Sequence, residues 1–318
     1  MSFTVNTSIP TGRFAPSPSG RMHLGNIFTA LISWLSVRKA GGRWILRIED
    51  LDPQRSKLEF ARQIEDDLHW LGLDWDEGGI DGLGDRGPYC QSLRNDIYQH
   101  FFDKLRSAGL TYKCHCTRAD IMATQAPHES DGRIVYSGRC RPAAAPPFPQ
   151  CASEQTGATR LFVPDRDIDF VDRVYGPQSV NLTTHCGDFV LQRADRAWAY
   201  QLAVVVDDAL MGVSEVVRGN DLLLSSAQQI YIYELIGHTP PAYAHLPLVC
   251  NAAGQRLSKR DSSMSMAHLR LILSPREIRG RIAHMAHIID KYEPCSPSDL
   301  IDSFDWSKIP QSKTIVIH

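Results

Sequence analysis

The sequence predicts an α/β fold: a Rossmann-like parallel sheet with a small cysteine-bearing insertion and a helical C-terminal segment. Three observations predict it. A strand-like run enters a Pro/Ser/Gly loop and then a long apolar helix, and a second strand-like run follows. Strand, helix and strand in that order form a βαβ unit, the seed of a parallel sheet with helices on its faces. Past residue 110 the texture changes, with three closely spaced cysteines and a proline-dense stretch, before apolar sheet-like patterning returns at 188.

In chain order, residues 11–16 form the first strand, and from Leu24 to Lys39 the apolar residues Leu24, Ile27, Phe28, Leu31, Ile32 and Leu35 fall at helical spacing. Gly41-Gly42 stops that helix. "RWILRIEDLD" (43–52) reads as a buried strand ending in acids. Ligands of such sheets bind beyond the carboxyl ends of the strands, the edge at which "RFAPS" and "RIED" both sit. Helices are expected at 57–71 and 94–108. The run 188–219 patterns as sheet, which puts Tyr200 in an apolar strand. A helix at 222–236 and the strand-like "PLVC" before "RLSKR" follow, and the tail from 275 is helical, with Ile278, Ile282 and Met285 in phase. The expected organisation is therefore a first half of a nucleotide-binding domain at 1–109, an insertion at 110–186, the second half at 187–245, and a basic loop with helical tail at 246–318.

At 318 residues, 43% hydrophobic and 22% charged, the chain has ample material for a core without disulfides. A net charge of −2 gives no global attraction to nucleic acid, so an RNA partner would need a local basic face. No apolar run reaches transmembrane length and no signal-peptide pattern opens the chain, so no membrane partner is expected and the cytoplasm is the expected location. Oligomeric state leaves no mark, and monomer is the simplest expectation.

The chemistry concentrates in "PSPSGRMHLGN". The first N–H groups of a helix, with a macrodipole of roughly +0.5 charge, favour an anion. Gly25 permits close approach to the backbone, and His23 and Asn26 add donors at the same place. A polyphosphate fits, and so does a turn before a core helix with His23 merely exposed. The distant "RLSKR" (256–260) supplies Ser258, Lys259 and flanking cations that can close on phosphates from the other side. Alone it reads as a solvated basic loop. Together, in this order, the two segments are specific.

With these residues the chain resembles the class I aminoacyl-tRNA synthetases, whose signatures are a HIGH-type and a KMSKS-type motif. "GRFAPSPSGRMHLGN", "LRIEDLD" and "VVRGNDLL" are similar to the glutamyl branch. About sixty residues follow "RLSKR", short of a further domain of ordinary size, and this narrows the resemblance to the shortened glutamyl-Q tRNA(Asp) synthetases. The resemblance implies activation of L-glutamate with ATP, without need of tRNA, and transfer to queuosine at the wobble position of tRNA(Asp). A catalytic portion of an ordinary glutamyl-tRNA synthetase charging a tRNA 3′ end is the alternative, and a zinc-containing RNA-binding protein without catalysis is a third reading.

By the same resemblance, Arg13, Phe14, Ala15, Pro16, Ser17, Glu49, Tyr200 and Arg218 contact glutamate. Arg13 suits a bidentate carboxylate pair, and Glu49 the α-amino group. On the residues alone, Tyr200 reads as core and Glu49 with Arg218 as a structural ion pair. His23, Gly25, Asn26, Ser258 and Lys259 are expected to bind ATP, with His23, Asn26 and Lys259 catalytic and Mg²⁺ accompanying the nucleotide. Arg256 stands where the family has lysine.

Cys114, Cys116 and Cys140 form a thiol group that favours zinc over disulfides in a cytosolic chain. Tyr136, His115 and His128 are candidates for the fourth ligand. The family pattern, Cys-x-Cys followed by Tyr-x-x-x-Cys, implies Tyr136 and a structural role. Cys90, Cys151, Cys186, Cys250 and Cys295 stand singly as core or surface thiols.

Overall fold

A computed structural model describes residues 9–117, 119–120, 135–149, 156–257 and 262–317. The chain runs β1 (Thr11–Phe14), α1 (Leu24–Lys39), β2 (Arg43–Leu46), α2 (Leu58–Trp70), β3 (Glu77–Gly78), α3 (Asn95–Ser107) and β4 (Thr111–Cys114). It continues through β5 (Ala158–Leu161), β6 (Asp167–Asp172), β7 (Gly176–Asn181), α4 (Leu182–His185), β8 (Phe189–Gln192), α5 (Tyr200–Leu210) and β9 (Glu215–Gly219). The rest comprises α6 (Ser225–Ile236), β10 (Ala242–Leu246), β11 (Leu248–Cys250), α7 (Met266–Ile272), α8 (Pro275–Met285), α9 (Pro297–Ser303) and β12 (Thr314–Val316).

Among the described residues the main sheet has the order β3-β2-β1-β9-β10-β6-β7 and is parallel except for the terminal β6–β7 hairpin. The chain builds outward from β1 to β2 and β3, then returns to the other side of β1 with β9 and β10. The reversal between β1 and β9 is a topological switch point, where a crevice opens beyond the carboxyl ends of parallel strands. Sequence elements 170 or more residues apart are thus neighbours only because both feed this sheet.

α1 is the central helix. Its Ala30, Leu31, Ile32 and Leu35 are fully buried, and Trp34 and Val37 nearly so. Burying each of the leucines and the isoleucine contributes roughly 1.5–3 kcal/mol. One side of α1 lies on β1 and β9, and the tail covers another: Trp306 Nε1 donates to Ser36 Oγ at 3.2 Å and Lys39 Nζ to the Asp302 carbonyl at 3.2 Å. α8 and α9 begin with capping boxes, Ser274 with Glu277 and Ser296 with Asp299, each with proline in the first turn.

Three expectations change. The run 188–219 is not continuous sheet, because Tyr200–Leu210 is a helix. That helix is nearly all apolar (its Leu202 to Val206 are buried), so alternation cannot distinguish it from a buried strand. The 110–186 stretch is not wholly separate either. Residues 167–181 form β6 and β7 and extend the main sheet, whereas β4, β5 and β8 make a small antiparallel sheet of their own. The tail is helical over α8 and α9 and then ends in β12, which pairs in parallel with β11.

Gly12 brings β1 and α1 together. A Cβ there would lie 2.4 Å from Val37 Cγ2, far inside contact distance. Gly12→Ala is expected to cost about 1–3 kcal/mol through overpacking, read as a lowered urea midpoint, and Gly12→Ala with Val37→Ala to recover part of that loss.

Candidate active site

The crevice at the switch point is a cavity of about 410 Å³. Its wall contains Arg13 to Ser17, His23, Gly25, Asn26, Glu49, Tyr200 and Arg218, every described residue expected at the site. The loop after β1 and the chain after β2 run side by side into it: Arg47 N–H donates to the Phe14 carbonyl at 3.0 Å and Glu49 N–H to the Pro16 carbonyl at 3.0 Å. The regular ladder of β2 ends at Leu46, so Glu49 projects from irregular backbone beyond the strand. Tyr200 is the first residue of α5 and reaches the cavity from the helix start. Ser258, Lys259 and Arg260 lie outside the described residues, as do His128 and Cys151. Arg256, at the near end of the basic loop, lines the cavity and pairs with Asp221 Oδ2 at 2.6 Å.

The charges are held by a buried network. Asp208 Oδ1 lies 2.6 Å from Arg47 Nη1 and 3.4 Å from Arg13 Nε, so one carboxylate neutralises two guanidiniums. Arg47 also reaches Glu49 Oε1 at 3.1 Å. Asp207 accepts from Arg94 Nε at 2.6 Å, Gln91 Nε2 at 2.7 Å and Tyr98 Oη at 2.9 Å, anchoring α3 to α5. Burial raises Glu49 above the ordinary carboxylate range, and Arg47 and Arg13 oppose the rise. Burial likewise raises the Tyr200 phenol.

Glu49 therefore pairs with Arg47 and not with Arg218, contrary to the ion pair the sequence alone allows. Arg218, 5% exposed, donates Nε–H to His245 Nε2 at 2.9 Å, Nη1–H to Gln229 Oε1 at 2.8 Å and Nη2–H to Ser226 Oγ at 2.7 Å. Its closest side-chain partners are all uncharged. Burial pushes His245 down to about 4 despite the opposing hydrogen bond to Asp172, so the ring is neutral near pH 7. A buried guanidinium with neutral partners is a site for an anion.

At the start of α1, the HLGN stretch builds a capping box. His23 Nδ1 accepts from Gly25 N–H at 3.1 Å, and Asn26 Oδ1 accepts from His23 N–H at 3.0 Å. The cap commits one atom of each side chain and assigns the neutral imidazole's proton to Nε2, while the Asn26 amide nitrogen remains a donor. Gly25 has a structural reason: a Cβ there would crowd the His23 ring at 3.1 Å. The cap takes up the Gly25 N–H, which narrows the expected anion site at the helix start to the side-chain donors and the remaining amides.

At the small sheet, the sulfurs of Cys114, Cys116 and Cys140 all lie within 4.8 Å of one another, and Cys116 Sγ is 3.5 Å from Cys140 Sγ. Tetrahedral zinc with sulfur at ~2.3 Å separates its sulfurs by about 3.8 Å, so the donor set fits that ion. Tyr136 Oη lies 3.5 Å from Cys114 Sγ and accepts from Cys140 N–H at 2.8 Å, while the Arg160 guanidinium covers its ring at 3.6 Å. Burial alone would raise the Cys114 thiol, but hydrogen bonds from Arg160 and Tyr136 bring it down to about 7, favouring thiolate. His115 is exposed and stands outside the thiol group.

Sequence reasoning missed Arg21, Thr29 and Asp221 in the wall, and Arg47, Asp208 and His245 behind it. Asp221 and Arg47 lie inside motifs already singled out, "VVRGNDLL" and "LRIEDLD", where adjacency to Arg218 and Glu49 was the available signal. His245 and Asp208 carried none, because each reaches the site from a segment patterned as core.

A family model for the catalytic domain of class I tRNA synthetases (E and Q) matches residues 10–279. The chain is 47% identical to a glutamyl-Q tRNA(Asp) synthetase of Symbiobacterium thermophilum, covering 94% of each chain. The chain belongs to the glutamyl-Q tRNA(Asp) synthetase family of class I tRNA synthetases. A member from Nitratidesulfovibrio vulgaris is 43% identical over 94% of this chain and 93% of its own. A glutamate tRNA ligase structure from Elizabethkingia meningosepticum, in complex with its amino acid, superposes with a TM-score of 0.81 at 29% identity, over 97% of this synthetase-family chain and 67% of that one. The chain is thus an aminoacyl-tRNA synthetase-like ligase on a mixed, mainly parallel α/β sheet. Among the described residues no helix is long and apolar enough to cross a membrane.

Removing Asp208 leaves Arg13 and Arg47 buried without their shared counter-ion. Asp208→Asn is expected to lose about 3–5 kcal/mol, measured by urea denaturation.

Proposed function

We propose that the cavity activates L-glutamate with ATP, without tRNA, and passes it to queuosine at the wobble position of tRNA(Asp). One observation carries this reading: a single crevice joins two buried guanidiniums, Arg13 and Arg218, to the capped start of α1 and to the near end of the basic loop. That combination suits a dicarboxylate beside a polyphosphate. The names of the relatives and the resemblance of the motifs support the same reading.

Arg218, with neutral partners, receives the side-chain carboxylate, and Arg13 steers the α-carboxylate. Glu49, with Tyr200 nearby, takes the α-ammonium group, and the backbone of Phe14 to Ser17 lines the amino acid. The α-carboxylate oxygen attacks the α-phosphorus of ATP, the bond to the bridging oxygen breaks, and pyrophosphate leaves with that electron pair. Both reactants are anions, so positioning and charge neutralisation do most of the work. His23, Gly25 and Asn26 hold the nucleotide, and Ser258 and Lys259 close over the leaving phosphates. Mg²⁺ arrives with ATP and neutralises phosphate charge. A queuosine hydroxyl then attacks the activated carbonyl, and AMP leaves as the new ester forms, with the hydroxyl proton passing to a phosphate oxygen of AMP.

Cys114, Cys116, Cys140 and Tyr136 hold a structural zinc that braces the small sheet (the inserted module) away from the reacting atoms. The chain works as a monomer in the cytoplasm. Glutamate-dependent ATP–pyrophosphate exchange is expected without any tRNA, and Lys259→Ala is expected to slow it by about a hundredfold or more. Labelled glutamate should enter tRNA(Asp) bearing queuosine and not tRNA(Asp) bearing guanosine; label in both, or at a 3′ end, refutes the transfer assignment in favour of ordinary charging. Elemental analysis is expected to return one zinc per chain, lost in Cys116→Ser, and retention of zinc by that variant would overturn the ligand set.

A further inference from the structure

The uncharged surroundings of Arg218 come from a line of residues crossing three strands. Asp172 ends β6, His245 lies on β10 and Arg218 on β9. His245 is the direct register partner of Arg218 across the β9–β10 ladder. Its Nδ1 is 2.6 Å from Asp172 Oδ2, and its Nε2 accepts from Arg218 Nε–H at 2.9 Å. Asp172 is itself held by the backbone N–H groups of Val174 at 3.0 Å, Tyr175 at 2.9 Å and His245 at 3.1 Å. All three side chains are buried, and His245 is fully so.

We propose that His245, oriented by Asp172, is a positioning and specificity-determining residue that fixes the Arg218 guanidinium as an undiluted positive charge for the substrate's side-chain carboxylate. The inference rests on the glutamate reading of the cavity. Arg218 needs an acceptor for Nε–H, or the guanidinium is free to rotate out of the plane set by Gln229 and Ser226. A carboxylate at that position would satisfy the same donor but would neutralise the guanidinium before the substrate arrived. A neutral imidazole supplies the lone pair without the charge, provided that its proton sits on Nδ1. Asp172 guarantees that tautomer, since its carboxylate can only accept from Nδ1–H. The negative charge is thereby kept one ring away from the guanidinium. Burial lowers the His245 ring to about 4 and so holds it neutral near pH 7. One further ring packs here: Tyr243 lies 5.2 Å from the Arg218 guanidinium carbon and stacks on His245.

Two measurements test this. In the wild-type protein, long-range ¹⁵N–¹H correlation of the histidine rings, with His245→Gln as the assignment control, should show His245 protonated on Nδ1 and bare on Nε2 at pH 7. A ring protonated on Nε2, or on both nitrogens, overturns the proposal. In glutamate-dependent ATP–pyrophosphate exchange, His245→Leu should raise the KM for glutamate about tenfold or more. The KM for ATP should stay unchanged, kcat at saturating glutamate should fall much less, and the preference for glutamate over glutamine should shrink with the loss in affinity. His245→Gln should restore most of the affinity, because its amide oxygen accepts from Arg218 while its amide nitrogen donates to Asp172. A wild-type glutamate KM in His245→Leu overturns the proposal. So does an equal rise for glutamate and ATP in both variants, which marks a packing role alone. Absence of glutamate-dependent exchange in the wild type refutes the glutamate reading instead, and leaves the ring tautomer standing as measured.

Discussion

The site depends on keeping positive charge buried without losing it. Two guanidiniums face the same crevice, and their supports differ in kind. Arg13 shares the Asp208 carboxylate with Arg47, so much of its charge is already answered. Arg218 is met by an imidazole, an amide and a hydroxyl. In a medium where an unpaired ion is costly, the first arrangement stabilises the fold and the second retains affinity for an incoming anion. One cavity therefore contains a guanidinium with a carboxylate partner and one with neutral partners, on adjacent strands.

Sheet topology makes that possible. The chain reverses direction of growth between β1 and β9, and the ends of those strands supply Arg13 and Arg218 directly. α1 starts at the same mouth, and its HLGN cap shows how one motif meets two demands. The imidazole and amide close the helix end with one atom each, and both residues also line the crevice. Farther along, β12 pairs with β11, the strand that leads into the basic loop, so the end of the tail braces the segment from which that loop departs.

Much of this was legible before any fold was known. The helices at 24–39, 58–70 and 95–107 show in the apolar spacing because each presents one face, or nearly all of its surface, to a core. The order of "PSPSGRMHLGN" and "RLSKR" pointed to the family, and the spacing of the three thiols pointed to the cluster that they form. Tyr200 was misassigned to a strand because a short apolar run lacks the polar face that reveals a helix. β12 was invisible because a three-residue strand gains its identity only from the neighbour that pairs with it.

By itself the sequence determined which chemical groups exist and which are adjacent in the chain: the guanidinium of Arg13 beside a turn, the caps of the helices, the thiol spacing. Tertiary structure alone decided the partners of the buried charges. Glu49 belongs to Arg47, two residues away along the same chain, and Arg218 to His245, 27 residues downstream. A carboxylate or an imidazole acts on whatever lies within a few ångströms through a poorly screening medium. That neighbourhood is set by strand register and by the order of strands in the sheet, which local patterning does not encode.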